Sequence, residues 1–347
     1  MKTPWKSVAI CGPTASGKSA LSLELARALN GEVVNVDSVQ VYRGLDIGSA
    51  KLSMAERSDV PHHVLDVFSP GETVNVAEFR RTALEAISDI SSRDKVPVLV
   101  GGSGMYFTTL LHGLAEVPAT PRDIRKAVAC MSAHEMYAEL QRVDPETAAR
   151  LHERDQQRVS RALEIYRITG KKPSELLGEH TFARQDVVSL VIVLCRPRDE
   201  LYERINRRAR AMIDAGLIEE TKSIVESFGR VAPLATLGYK QALDYVDGKI
   251  GFDSLGDEIA LHTRRFAKRQ MTYWRNEPRK RGWLVRPLEN EPAVEVLGVQ
   301  GFSARAQKTM KPFRAFPFSS DELITCVRAR LAEELSRTEV WYVQLSE

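Results

Sequence analysis

The sequence predicts an α/β fold: a parallel sheet covered by helices, with an all-helical domain inserted into it. Three observations predict it. Short apolar runs alternate with stretches of helical periodicity, a glycine-rich loop follows the first run, and a long polar helical segment interrupts the alternation before it resumes. Strands buried on both faces read as continuous apolar runs, which is what a parallel sheet flanked by helices requires.

Residues 7–11 (SVAIC) form the first run, and residues 20–30 carry the helical pattern after the loop. Gly31 closes that helix, and 32–36 (EVVNV) reads as a second buried strand. Residues 95–100 (KVPVLV) make a third, closed by Gly101-Gly102-Ser103-Gly104 and followed by another helix. The character changes at 114–121 (LAEVPATP), a linker rich in Pro and Ala. From Arg122 to about Gly178 the chain is polar and helical, without a convincing strand. Residues 187–194 (VVSLVIVL) then rejoin the sheet, and 201–228 and 257–274 read as long amphipathic helices. After about Val285 the periodicity weakens through PLENEPA and KPFRAFPF. A last helix is expected near 321–335, where Ser319 and Glu322 have capping-box spacing and Leu323, Val327, Leu331 and Leu335 form a stripe. Residues 1–115 and 186–285 are therefore assigned to the core, 116–185 to the helical insertion, and 286–347 to an extension of unassigned role.

At 347 residues the chain can bury a large core. Hydrophobic and charged fractions of 43% and 27% argue against a disordered chain, and no apolar run approaches the length of a bilayer span. The N-terminus is too short and glycine-broken for a secretory signal. Cys11, Cys130, Cys195 and Cys326 are far apart and show no CxxC pairing. That argues against a disulfide framework or zinc site and for a reduced, cytoplasmic chain. The net charge of +3 decides little, so the distribution of charge matters more.

Gly12-Pro13-Thr14-Ala15-Ser16-Gly17-Lys18-Ser19 satisfies G-x-x-x-x-G-K-[ST] between an apolar strand and a helix, the context of a P-loop NTPase-like core. The glycines let backbone N–H groups converge on phosphate oxygens, and the helix N-terminus adds partial positive charge. Lys18 would neutralise the phosphates and Ser19 would ligate Mg²⁺. Asp37, past the end of EVVNV, should lie near the loop, because ligands of open α/β sheets bind outside the carboxyl ends of strands. It could act on metal through water, accept a proton, or simply cap a turn. VPVLV does not end in Asp, so the Walker-B carboxylate of an ATPase is missing there. His62-His63 reads as structural, because adjacent strand residues point to opposite faces. Basic segments recur at 156–167, 203–210 and 261–283. The last interleaves Arg264, Arg265, Lys268, Arg269 and Arg275 with Tyr273 and Trp274. Such segments suit phosphate contacts and base stacking on a nucleic acid, with solvated helix faces and core aromatics as the alternative.

These residues resemble the tRNA dimethylallyltransferases (tRNA isopentenyltransferases). The resemblance rests on GPTASGKS (12–19), DSVQVYRGLDIGSAK (37–51), PHHVLD (61–66), GGSGMY (101–106), QRVSRALEIYRITGK (157–171), LYERINRRARAMIDAGLIEE (201–220), LGYKQALDY (237–245) and TRRFAKRQMTYWR (263–275), in order. It implies a P-loop that holds dimethylallyl diphosphate rather than ATP, which accounts for the missing Walker-B acid. By resemblance, Thr14, Lys18 and Ser19 contact the diphosphate and Mg²⁺, Arg208 adds positive charge at the leaving group, and Asp37 receives the proton of the adenine N6 amine. Also by resemblance, the acceptor is the adenosine immediately 3′ of the anticodon. Asp37, Ser38, Val39, Gln40, Ser103, Arg125, Gln157, Arg158, Val159, Ser160, Arg161, Gly238, Tyr239 and Lys240 match positions that contact tRNA. The helical insertion would then meet the anticodon loop. The chain is expected to act as a monomer in the cytoplasm. A small-molecule kinase using the same loop for ATP, with Asp37 as base, is the competing reading. The extension has only Cys326 and cannot form the zinc finger of eukaryotic relatives.

Overall fold

A computed structural model describes residues 4–114, 117–179, 186–280, 284–285, 316–332 and 338–345. Strands β1 (Trp5–Cys11), β2 (Gly31–Asn35), β3 (His62–His63), β4 (Val96–Val100), β5 (Val187–Cys195), β6 (Leu284–Val285), β7 (Phe316–Phe318) and β8 (Glu339–Leu345) form one sheet. Its order is β3-β2-β4-β1-β5-β8-β6, and every pairing among these strands is parallel. β6 and β7 share the outer edge of β8, one pairing at Glu339–Val340 and the other at Val343–Leu345.

Strand alternation divides the core. On β1, Ala9 and Cys11 join one apolar cluster and Val8 and Ile10 the other. The first cluster is covered by α2 (Val76–Ser92) and α3 (Gly104–His112), then by α9 (Arg198–Asp214), α10 (Leu217–Phe228), α11 (Tyr239–Val246) and α12 (Phe252–Lys280). The second is covered by α1 (Lys18–Ala28) and α13 (Ser320–Ala332). The expected 201–228 helix is two helices. Gly216, at φ 99°, takes a left-handed conformation that stops α9 and starts α10 in a new direction.

The chain separates into two compact units, Met1–Leu111 with Asp186–Glu347, and His112–Gln185. The smaller contains α4 (Arg122–Ala129), α5 (Ala133–Val143), α6 (Pro145–Arg150), α7 (Gln156–Thr169) and α8 (Pro173–Glu179). Its own core includes Val128, Met136, Leu140, Val159 and Leu163.

The C-terminal extension enters the sheet, which the sequence reading did not foresee. β8 pairs with β5 over Leu190–Cys195. The Arg330 guanidinium and Glu339 carboxylate form a buried ion pair (Nε–Oε2 2.9 Å), and Tyr342 Oη donates to Trp274 O at 2.7 Å. The capping box of α13 is present: Ser319 N donates to Glu322 Oε2 (2.9 Å) and Glu322 N to Ser319 Oγ (3.3 Å). Leu323 and Val327 are buried beneath it, while Leu335 lies outside the described residues.

Candidate active site

Three strand ends converge on one cleft at the carboxyl edge of the sheet. β1 runs into the loop from Gly12 to Gly17, β2 into Asp37 and β4 into Gly101–Gly104, while β5 leads to Arg196, which holds the loop. The cleft holds about 460 Å³, a volume suited to a small phosphorylated molecule. Thr14, Lys18, Ser19, Asp37, Ser38, Val39, Gln40, Ser103, Arg208 and Gly238 all line it.

The loop is held from outside by side chains that a local motif cannot reveal. Arg204 Nε donates to Ala15 O (2.9 Å), Arg196 Nε to Ser16 O (2.8 Å), and Arg208 Nη1 to Thr14 Oγ1 (3.4 Å). Arg204 and Arg208 stand four apart on α9, which places both on the face toward the loop. Thr14 N donates to Gln270 Oε1 at 2.9 Å, and Gln270 Nε2 donates to Gly102 O at 3.0 Å. Lys18 Nζ donates to Pro13 O at 2.6 Å. The Ser16 hydroxyl is buried and has no hydrogen-bond partner among the described residues, an arrangement that suits an anion in the loop.

Electrostatics follow from this packing. Burial, and then the neighbouring Arg208, push the Lys18 ammonium down to about 8, against the attraction of Asp37. Burial, with Arg204 beside it, also lowers Arg208. Two crowded, desolvated cations at the loop would be stabilised by a bound anion. Burial holds the Cys11 thiol well above its ordinary range, so the cysteine preceding the loop is a packing group and not a nucleophile.

Asp37 has a double role in the geometry. Its Oδ1 accepts from Val39 N (2.8 Å) and Gln40 N (3.3 Å), capping the turn that follows β2, and the same carboxylate lines the cleft. The turn is fastened further along. The Glu220 carboxylate accepts from the backbone N–H groups of Asp46 (3.1 Å), Ile47 (2.9 Å) and Gly48 (3.2 Å), and from Tyr239 Oη (2.6 Å). Gly48 leaves room for the Tyr239 ring, since a Cβ there would lie 2.5 Å from it.

The other residues expected to contact tRNA lie as follows. Tyr239 is fully buried, with its hydroxyl committed to Glu220, so it supports the wall and does not present a surface. Lys240 is exposed on α11 but does not line the cleft. Val159 is buried in the insertion's core, because it falls on the inward side of α7. Arg125, Gln157, Arg158 and Arg161 are exposed on that unit, and Ser160 is half-buried. Arg161 Nη1 is steadied by Thr120 Oγ1 (2.6 Å) and Glu164 Oε2 (3.3 Å). Of the α12 aromatics named above, Trp274 is wholly buried and meets Phe107 edge-on, while the half-buried Tyr273 donates its Oη to Gly104 O at 2.8 Å. Of the two alternatives for this segment, packing describes Trp274, and Arg265, Lys268, Arg269 and Arg275 are exposed on α12. His62 and His63 diverge, to Val60 O and Glu32 respectively.

Sequence comparison agrees with this geometry. The profile of the IPP transferases matches residues 40–277. A tRNA dimethylallyltransferase of Trichlorobacter lovleyi is 43% identical over 82% of this chain and 95% of its own. The crystal structure of a tRNA isopentenylpyrophosphate transferase from Bacillus halodurans is 38% identical, with a TM-score of 0.57 over 78% of this chain and 87% of that one. A eukaryotic dimethylallyltransferase, solved in the course of acting on tRNA, is 31% identical, with a TM-score of 0.69 over 78% of this chain and 69% of that one. With a P-loop, a facing carboxylate and these relatives, the chain belongs to the IPP transferase family, the tRNA dimethylallyltransferases.

Proposed function

We propose that this protein transfers the dimethylallyl group of dimethylallyl diphosphate to N6 of the adenosine immediately 3′ of the anticodon in tRNA, releasing diphosphate. The observation that carries the proposal is a single cleft in which a cation-flanked phosphate loop and Asp37 are both exposed to a ligand. The N6 lone pair forms the new C–N bond as the allylic C–O bond breaks, and the bonding electrons leave on diphosphate. Asp37 takes the N6 proton. Arg208, Lys18 and Thr14 face the loop, where preorganised charge stabilises the departing diphosphate at little reorganisation cost. The amine is a poor nucleophile, so alignment by Asp37 and its capped turn supplies much of the rate.

The oxygen donors present fit Mg²⁺. Ser19 and Asp37 line the cleft with a hydroxyl and a carboxylate, both hard oxygen donors. That suits an ion that keeps its waters and takes phosphate oxygens. Bound there, Mg²⁺ would neutralise the leaving group. For the tRNA, Arg125, Gln157, Arg158 and Arg161 of the insertion would engage the anticodon loop, with phosphate contacts giving affinity. The target base, stacked in that loop, would be flipped out to reach the donor. No helix among the described residues is long and apolar enough to cross a membrane. We assign the activity to the cytoplasm and to a monomer.

Nucleoside mass spectrometry tests the proposal, on unmodified tRNA incubated with protein, Mg²⁺ and dimethylallyl diphosphate, beside a reaction with ATP instead. A dimethylallyl increment on adenosine, absent with ATP alone, is expected. ATP consumption without any increment would replace the proposal with a kinase.

A further inference from the structure

The Gly101–Gly104 turn explains why Gln270 sits where it does. A Cβ at Gly101 would collide with the Val36 carbonyl, next to Asp37. A Cβ at Gly102 would collide with Gln270 Nε2, and one at Gly104 with the Tyr273 ring, three residues on along α12. The turn is therefore clamped on two sides: against the strand end that carries Asp37, and against α12. Gln270 is buried, and its amide completes the link, accepting from Thr14 N and donating to Gly102 O. The sheet joins the same strand ends through the backbone, with Gly101 N donating to Ile10 O at 3.1 Å, and Gln270 adds the side-chain link from the turn to the loop itself.

We infer that Gln270 is a positioning residue that sets the distance between the diphosphate-holding Thr14 and the proton-accepting Asp37. The inference rests on the transferase reading. The Gln270 amide takes Thr14 N, an N–H that an open phosphate loop would offer to a phosphate. It thereby fixes the direction of the Thr14 hydroxyl, which also receives Arg208. Asparagine is one methylene too short to span the two partners. Alanine releases both.

The test is steady-state transfer of the dimethylallyl group to unmodified tRNA by the full chain, with thermal unfolding measured alongside. Gln270→Ala is expected to lower kcat about 100-fold, the penalty of a misplacement on the order of 1 Å. KM for dimethylallyl diphosphate should stay level or fall, because the freed Thr14 N–H can now meet a phosphate. Gly102→Ala, which expels the Gln270 amide by its new Cβ, should reproduce the kcat loss. The double variant Gly102→Ala/Gln270→Ala should be no slower than either single variant, since both remove one link. Gln270→Glu supplies a pH readout. Its protonated carboxyl can accept from Thr14 N and donate to Gly102 O, so its kcat should recover toward wild type as pH falls, unlike that of Gln270→Ala. Wild-type kcat in Gln270→Ala, additive losses in the double variant, or a kcat loss matched by an equal rise in KM would each overturn the inference. A wild-type protein that leaves tRNA unmodified would overturn the transferase reading itself, and this inference with it.

Discussion

The Asp37 carboxylate caps a turn and, in the proposed reaction, also takes the N6 proton. Its Oδ1 is committed to the Val39 and Gln40 amides, and that capping aims the group into the cleft. Asp37→Ala should abolish transfer while leaving tRNA affinity within about twofold, a change smaller than one ordinary hydrogen bond. Binding isotherms alongside single-turnover transfer would check this, and unchanged turnover would remove Asp37 from the mechanism. Lys18 supplies a pH dependence at the same scale. With its pKa held near 8 by burial and Arg208, the free enzyme loses the ammonium above that pH, whereas bound diphosphate favours it. Once the ionisation of free diphosphate is divided out, affinity for inorganic diphosphate should be flat below about pH 8 and fall toward tenfold per pH unit above it, with proton uptake on binding. Calorimetric titration in buffers of differing ionisation enthalpy would show it, and a flat profile through pH 9 would exclude Lys18. The sign for folding is opposite. A lysine lowered from 10.5 to about 8 disfavours the folded state at low pH, and that penalty is relieved as pH rises between the two values.

The elements matter through what they hold still. α10 and α11 contribute no reacting atom, yet Glu220 and Tyr239 pin the segment after Asp37 by four hydrogen bonds to one carboxylate. Tyr239→Phe should cost about 1.5–3 kcal/mol of stability, the range for a hydrogen bond to a charged group, with no cavity to repack. Urea unfolding would measure it, and a loss below about 0.5 kcal/mol would mean that Glu220 satisfies itself through the backbone alone. α12 acts in the same way. Its buried side, with Trp274 in the core and Gln270 and Tyr273 against the glycine turn, fixes the cleft's rear wall.

For the whole molecule, the order β5-β8-β6 means that the last strand of the chain lies within the sheet, between elements far earlier in sequence. Arg330 and Glu339 join α13 to β8 as a buried pair. Arg330→Ala should cost about 3–5 kcal/mol, because Glu339 would stay buried without its partner. Replacing both by apolar residues of similar volume should recover most of that loss. Thermal unfolding of the three proteins would decide, and equal stability of Arg330→Ala and wild type would mean that this ion pair contributes nothing to the fold.

The α/β class, the strand–loop–helix at Gly12–Ser19, Asp37 beside it, the helical segment at 122–178 and the family were all legible in the order of the residues. Each is carried by a local pattern: apolar runs, glycines at fixed offsets, and short contiguous segments whose spacing is fixed by the turn they make. Tertiary structure alone decided which side chains reach the loop. Arg196, Arg204 and Gln270 act across 180, 189 and 256 residues of chain, so no local spacing announces them. It also decided that Tyr239, Val159 and Trp274 face inward, since a motif preserves residue type without saying which face is covered. The partner of β8 was equally hidden. EVWYVQL is a plausible strand in isolation, but its place beside β5 depends on an open sheet edge that exists only once the rest of the chain has folded.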